Sequence, residues 1–226
     1  MAVNPIMGVI NTAISGALNG LSGTSIVLLG IICAGMQATD MGGPINKAAY
    51  VFGTAALAEQ TLQGNMIMAA VMAGGMVPPL VIALSTTFFK NRWTEADRKA
   101  GLVNYIMGLS FITEGAIPFA AADPLRVLPA CILGSATAGG LSMLFGCASP
   151  APHGGAWVIA VITNPVQYLL ALAIGAVVGC LVLSFLKKPL DKATEQRERK
   201  GLANGKAATS TRDVAAFCCL GICLDL

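Results

Sequence analysis

The sequence predicts an all-α protein, a polytopic membrane helical bundle with re-entrant hairpins and broken helices, and three observations carry that prediction. Of 226 residues, 55% are hydrophobic and 11% are charged, whereas an ordinary soluble domain carries roughly a quarter charged residues. The mean hydropathy is +0.73. The apolar stretches reach the ~20 residues that cross a bilayer, yet short segments rich in glycine, proline and polar side chains interrupt them, and no strand-like alternation appears.

Charge is distributed unevenly, with 12 of the 25 charged residues in 1–186 and 13 in 187–226. This divides the chain into a membrane part, 1–188, and a solvated, partly disordered cytoplasmic tail, 189–226. A net charge of +3 with scattered Lys and Arg leaves no nucleic-acid footprint. Cys33, Cys131, Cys147 and Cys180 sit in apolar runs as small packing residues, while Cys218, Cys219 and Cys223 lie in the tail. Neither a disulfide framework nor metal-ligand spacing is present, so no metal and no cofactor is expected. The start of the chain lacks the basic segment of a signal peptide, and insertion is left to the spans.

In order along the chain, 21–38 is uncharged and long enough to cross, although its glycines and Gln37 suit a helix packed among others. Asp40-Met-Gly-Gly-Pro-Ile-Asn-Lys47 then breaks the pattern. The run 48–58, too short to cross, reads as a partial or re-entrant element. Residues 65–89 form the clearest span, with Pro78-Pro79 expected to kink or split it. Lys90, Arg92, Arg98 and Lys99 make the next loop basic, hence cytoplasmic. Three apolar stretches follow, 101–122, 127–148 and 157–186, and the last ends at Lys187-Lys188, again cytoplasmic. Two cytoplasmic ends require an even number of crossings between them. The reading adopted is that 101–122 enters and turns back near Glu114; a break of the last stretch at Asn164-Pro165 is the alternative.

An ionisable side chain at membrane depth costs at least ~2.5–3.5 kcal/mol, so each one needs a partner or a use. Asp40, Lys47, Glu114, Asp123, Arg126 and His153 fall in three polar breaks, 40–47, 113–126 and 149–155. Broken helices carrying polar groups are how transporters build a mid-membrane site. Glu114, with no base within ten residues, is either an acceptor for sugar hydroxyls or a structural acid on loop amides; Thr113 and Gly115, which flank it and break the helix, are counted with it as substrate-binding residues. Asp123 and Arg126 suit an ion pair and a helix cap, and Asp40 with Lys47 is open to the same reading. Asn46 is either a hydroxyl ligand or a loop brace. His153 contacts solute or braces its loop, in preference to accepting a phosphoryl group.

Asp40-Met-Gly-Gly-Pro-Ile-Asn-Lys-Ala-Ala-Tyr50, Ile112-Thr-Glu-Gly-Ala-Ile-Pro-Phe-Ala-Ala-Ala-Asp-Pro-Leu-Arg126 and the Pro-His-Gly-Gly segment ending at Gly155 resemble the enzyme IIC membrane domain of the fructose-type sugar phosphotransferase system, in its C-terminal part. The resemblance covers about 4–189. It implies a multi-pass permease of the bacterial inner membrane that carries fructose or a related sugar inward. The partners it implies are a phosphorylated IIB domain or protein, further N-terminal spans of the IIC domain, membrane lipid, and a second copy in a homodimer. It further implies that the acid of the Thr-Glu-Gly motif, Glu114, is a sugar ligand in a re-entrant hairpin. The phosphocysteine loop of a IIB domain does not occur in these 226 residues, so the chain is the translocating part of a phosphotransferase complex and not its phosphoryl carrier. The competing functions are a secondary transporter or channel for a small polar solute, and an inactive fragment.

Overall fold

The computed structural model describes residues 24–187; the N-terminal stretch, the tail and its three cysteines lie outside the described residues. Seven α-helices and three short 3-10 turns follow one another: α1 Thr24–Thr39, α2 Pro44–Ala58, α3 Leu62–Phe88, a turn at Lys90–Arg92, α4 Glu95–Leu109, a turn at Thr113–Ala116, α5 Ile117–Ala122, α6 Pro124–Leu144, a turn at Gly155–Val161, and α7 Pro165–Leu186. Among them α3, α6 and α7 are long and apolar enough to cross a membrane. The expected all-α membrane bundle is what forms.

Everything is built round α3, whose residues 67–83 are buried without a gap. Small residues let the other helices approach it, as membrane packing favours. Ala34 of α1 lies against Gly74, and Gly53 of α2 sits against Met68 and Val71. Outward faces are apolar too: Leu169, Val177 and Leu181 of α7 are all exposed, as lipid contact or further spans require.

Two hairpins approach the middle of α3 from opposite ends. The first is α1 and α2. The stretch 21–38, expected to cross by itself, is instead its inbound arm over the described part, because the chain reverses at Met41 (φ 46°) and Gly42 (φ 118°). Helix α2 then leads back along α3, its Ala56 meeting Gly64 near the end where α3 began. The second is α4 with the turn and α5. Helix α4 climbs α3 from Thr86, which meets Gly101, to Leu80, which meets Gly108; the chain turns beside Gly75 and comes back to set Phe119 edge-on to Trp93, with ring centroids 5.5 Å apart. Residues 101–122 therefore enter and turn back, but the reversal falls at Ser110–Thr113, one step before Glu114.

Prolines start some of these helices and lie within another. The stretch 157–186 is broken at Asn164-Pro165, the alternative that the sequence also offered, since Asn164 adopts a left-handed conformation and Pro165 starts α7. The Gly-Gly-Pro of 42–44 is a start signal for α2, with Pro44 in the first turn where its missing N–H costs nothing. Pro78-Pro79 do not split α3, which runs on through both.

At the far end of the bundle the basic loop and the last helix meet. The Lys187 ammonium lies 3.3 Å from the Trp93 ring centroid, and Trp93 Nε1 donates to Ser85 Oγ at 2.9 Å. Burial pushes the Lys187 pKa down, opposed by the carboxylates of Asp97 and Asp123. Loop 90–99 and Lys187 thus share one end, as the even number of crossings between them requires.

Candidate functional site

The tip of the first hairpin is fixed by a carboxylate and two amides. Asp40 accepts hydrogen bonds from the backbone N–H of Ile45 at 2.7 Å and of Asn46 at 2.9 Å, two donors that the first turn of α2 leaves without helical partners. Asn46 Nδ2 donates to the Gln37 carbonyl at 2.7 Å, and Gln37 Nε2, buried, returns a bond of 3.3 Å to the Asn46 carbonyl. Asn46 is therefore a brace between α1 and α2. Asp40 and Lys47 form no ion pair: the carboxylate is turned onto α2, and Lys47 is exposed.

The second tip begins with a helix end of the Schellman type. Phe111 N–H bonds the Gly108 carbonyl at 3.2 Å and Ile112 N–H the Met107 carbonyl at 2.9 Å, the pairing that needs a left-handed residue between them. Glycine usually fills that place, as Gly146 does after α6. Here it is Phe111, at φ 62°, a costly conformation for a bulky side chain. Thr113, buried, donates its hydroxyl to the Gly75 carbonyl at 2.9 Å. Glu114 follows and points outward, exposed, with no side-chain hydrogen bond or ion pair among the described residues. A Cβ added to Gly42 would lie 3.1 Å from Glu114 Oε1, so the two tips touch, and glycine is what lets the carboxylate in. Behind them Asn104 of α4 is buried against Gly115, its Nδ2 without a partner among the described residues.

The third polar break closes on the same place. Ser149 N–H donates to the Asn65 carbonyl at 2.9 Å, tying the loop to the start of α3. Gly155, at φ 56°, lies against the backbone of Leu109 and Phe111, where a side chain would collide; Trp157 Nε1 donates to Ser110 Oγ at 3.1 Å. These contacts bring the His153 ring to 5.1 Å from Phe111 and 6.5 Å from Tyr50, with Tyr50 and Phe111 6.2 Å apart. Beyond Tyr50 an open cleft of about 740 Å³, lined also by Thr54, Gln60, Asn65, Pro150 and Pro152, leads outward between α2, α3 and this loop.

Asp40, Asn46, Thr113, Glu114, Gly115 and His153 are thus gathered round the meeting tips. Asp123 and Arg126 are not. They pair at 3.0 Å at the opposite end, beside Lys187, and the Asp123 side chain does not cap α6. The sequence does not single out Tyr50 and Phe111, whose only signal is aromaticity beside a polar break, or Asn104, an amide in the apolar half of α4; Gln37, read there as a sign of helix packing, is one half of the brace to Asn46.

Two polar hairpin tips meet at mid-bundle, and an exposed carboxylate with no partner among the described residues stands at their junction; broken helices with polar groups at that depth are the construction of membrane transport proteins. No family model and no solved structure matches the chain. Curated relatives do. The chain is 52% identical over 189 residues to the fructose-specific EIIABC component of the phosphotransferase system of Bacillus subtilis, covering 80% of this chain and 29% of that one. It is 51% identical over 191 residues to the fructose permease IIC component of Bacillus amyloliquefaciens (81% and 62%). Against the fructose-specific EIIB'BC component of Escherichia coli the figure is 47% over 190 residues (80% and 33%). The chain is homologous to the enzyme IIC domain of fructose-type phosphotransferase-system permeases. It spans between 29% and 62% of the length of these three relatives.

Proposed function

We propose that this chain is the C-terminal part of a IIC domain and forms the sugar-translocating core of a fructose-type phosphotransferase system, taking fructose or a related sugar inward to a IIB domain or protein that phosphorylates it. The support is the names of its relatives together with one structural observation: Glu114, a carboxylate without a partner among the described residues, stands where two opposed hairpins and a third loop meet. A carboxylate accepts charge-assisted hydrogen bonds from hydroxyls, worth ~1.5–3 kcal/mol each. Gly115 offers backbone groups beside it, and His153, whose ring is tilted against Phe111 and edge-on to Tyr50, supplies a second polar edge. Sugar arrives through the cleft outside Tyr50. Loop 90–99 and the tail face the cytoplasm, where IIB acts, and the domain works as a homodimer in the lipid of the inner membrane.

The test is Glu114→Gln in an intact permease carrying this chain. The amide keeps size and shape but replaces charge-assisted bonds by neutral ones and turns one acceptor into a donor, so sugar binding should weaken roughly tens- to hundredfold while the protein accumulates normally. Parent-like binding, or loss of the protein from the membrane, makes Glu114 a structural acid. Unmodified sugar accumulating in cells that contain IIB would make the protein a secondary transporter.

A further inference from the structure

A proline in a helix withholds the N–H that would bond the carbonyl four residues earlier. In α3 the two prolines, Pro78 and Pro79, therefore strip the i+4 partner from two consecutive carbonyls, those of Gly74 and Gly75. Both carbonyls are in the buried middle of the helix, where no water satisfies them. Both are met by hydroxyls from outside: Ser135 of α6 donates to the Gly74 carbonyl at 2.7 Å, and Thr113 of the second tip donates to the Gly75 carbonyl at 2.9 Å. The acceptors also need the two glycines. A Cβ on Gly74 would lie 2.6 Å from Ala34 Cα, and one on Gly75 3.0 Å from Thr113 Oγ1 and 2.9 Å from Phe111 Cδ2.

We infer that Gly74-Gly75 and Pro78-Pro79 form a two-carbonyl docking strip, and that Thr113 is a positioning residue whose bond to Gly75 holds Glu114 in place. Thr113 is one residue from Glu114 and, with its hydroxyl committed to α3, acts on the solute only through its neighbour. Ser135 uses the same strip for a different end, fixing α6 to α3. Pro79 is as much a part of the device as Thr113, because an ordinary residue at 79 would claim the Gly75 carbonyl for its own N–H and leave the tip without its acceptor. The inference rests on the reading of Glu114 as the sugar ligand for its consequence, though the docking itself does not.

The experiment crosses Thr113→Val with Pro79→Ala in the intact permease and reads thermal midpoint and sugar affinity separately, with Thr113→Ser and Ser135→Ala alongside. Thr113→Val is expected to lower the midpoint by about 2–4 °C and to weaken sugar binding about tenfold; Thr113→Ser restores both. In the Pro79→Ala background, where the restored backbone N–H serves the Gly75 carbonyl and the tip has already lost its acceptor, sugar binding should already be about tenfold weaker than in the parent, and Thr113→Val should add little to the loss of either midpoint or affinity. Ser135→Ala should lower the midpoint and leave sugar affinity at the parent value. Equal midpoint losses in the two backgrounds overturn the docking strip. Unchanged affinity in Thr113→Val, in a permease where Glu114→Gln binds poorly, overturns the positioning role. If neither variant alters affinity while the midpoints remain coupled, the docking strip stands and the ligand reading of Glu114 is what fails.

Discussion

Replacing Gly75 by alanine separates stability from function at this site. Gly75 is the central residue of α3, and its missing side chain is the space into which the second tip inserts. An alanine Cβ would overlap the Phe111 ring, and overpacking a filled site costs about 1–3 kcal/mol. Against this, alanine is favoured over glycine inside a helix by about 1 kcal/mol, so the net loss of stability is about 0–2 kcal/mol, a fall of up to several degrees in the thermal midpoint. Function should suffer more. Phe111 is already held in a left-handed conformation and wedged against Tyr50 and His153, so it cannot turn aside without moving the tip, and a displacement near 1 Å at a site of this kind costs up to a hundredfold. The assay is equilibrium sugar binding to the intact permease in detergent beside a thermal melt. Gly35→Ala serves as the control, because a Cβ there meets nothing closer than 3.8 Å and should leave both readings unchanged or raise the midpoint. Gly75→Ala with parent sugar affinity would refute the claim that the tip depends on this close approach.

Two further outcomes follow from the ends of the hairpins. Asp40→Ala deprives the Ile45 and Asn46 amides of their acceptor and should cost about 0.5–2 kcal/mol, read as a lower thermal midpoint; Asp40→Asn, which keeps one acceptor oxygen, should recover part of it. Reporters fused at Asn91 and after Lys187 should read the same, cytoplasmic, side of the membrane, because Lys187 sits on Trp93; opposite-side signals would undo both the crossing count and the second hairpin.

The amino-acid sequence by itself determined that the chain is helical and embedded, since composition and span length leave no other way to satisfy its backbone. It also showed where the helices break, because glycine, proline and lone ionisable residues act locally: the breaks at 40–47 and 149–155 and the acid at 114 were all legible. Family motifs in the right order made the relationship legible as well. What only the tertiary structure decided is which breaks meet. The longest helices are apolar on every side, with Leu169 and Val177 of α7 exposed and Tyr168 and Leu172 buried, so no polar face marks the inward direction as it would in water. The direction is set by small residues that allow close approach, Gly53, Gly74 and Gly139 among them, and a glycine in sequence does not say which neighbour it admits. For the same reason Asp123 and Arg126, beside Glu114 in sequence, part from it in space once α5 carries them back to the Lys187 end. Asn46 and Thr113, open to reading as ligands, turn toward backbone carbonyls. A carbonyl freed by a proline is predictable from sequence, but the hydroxyl that finds it comes from 38 residues away and is chosen by packing alone.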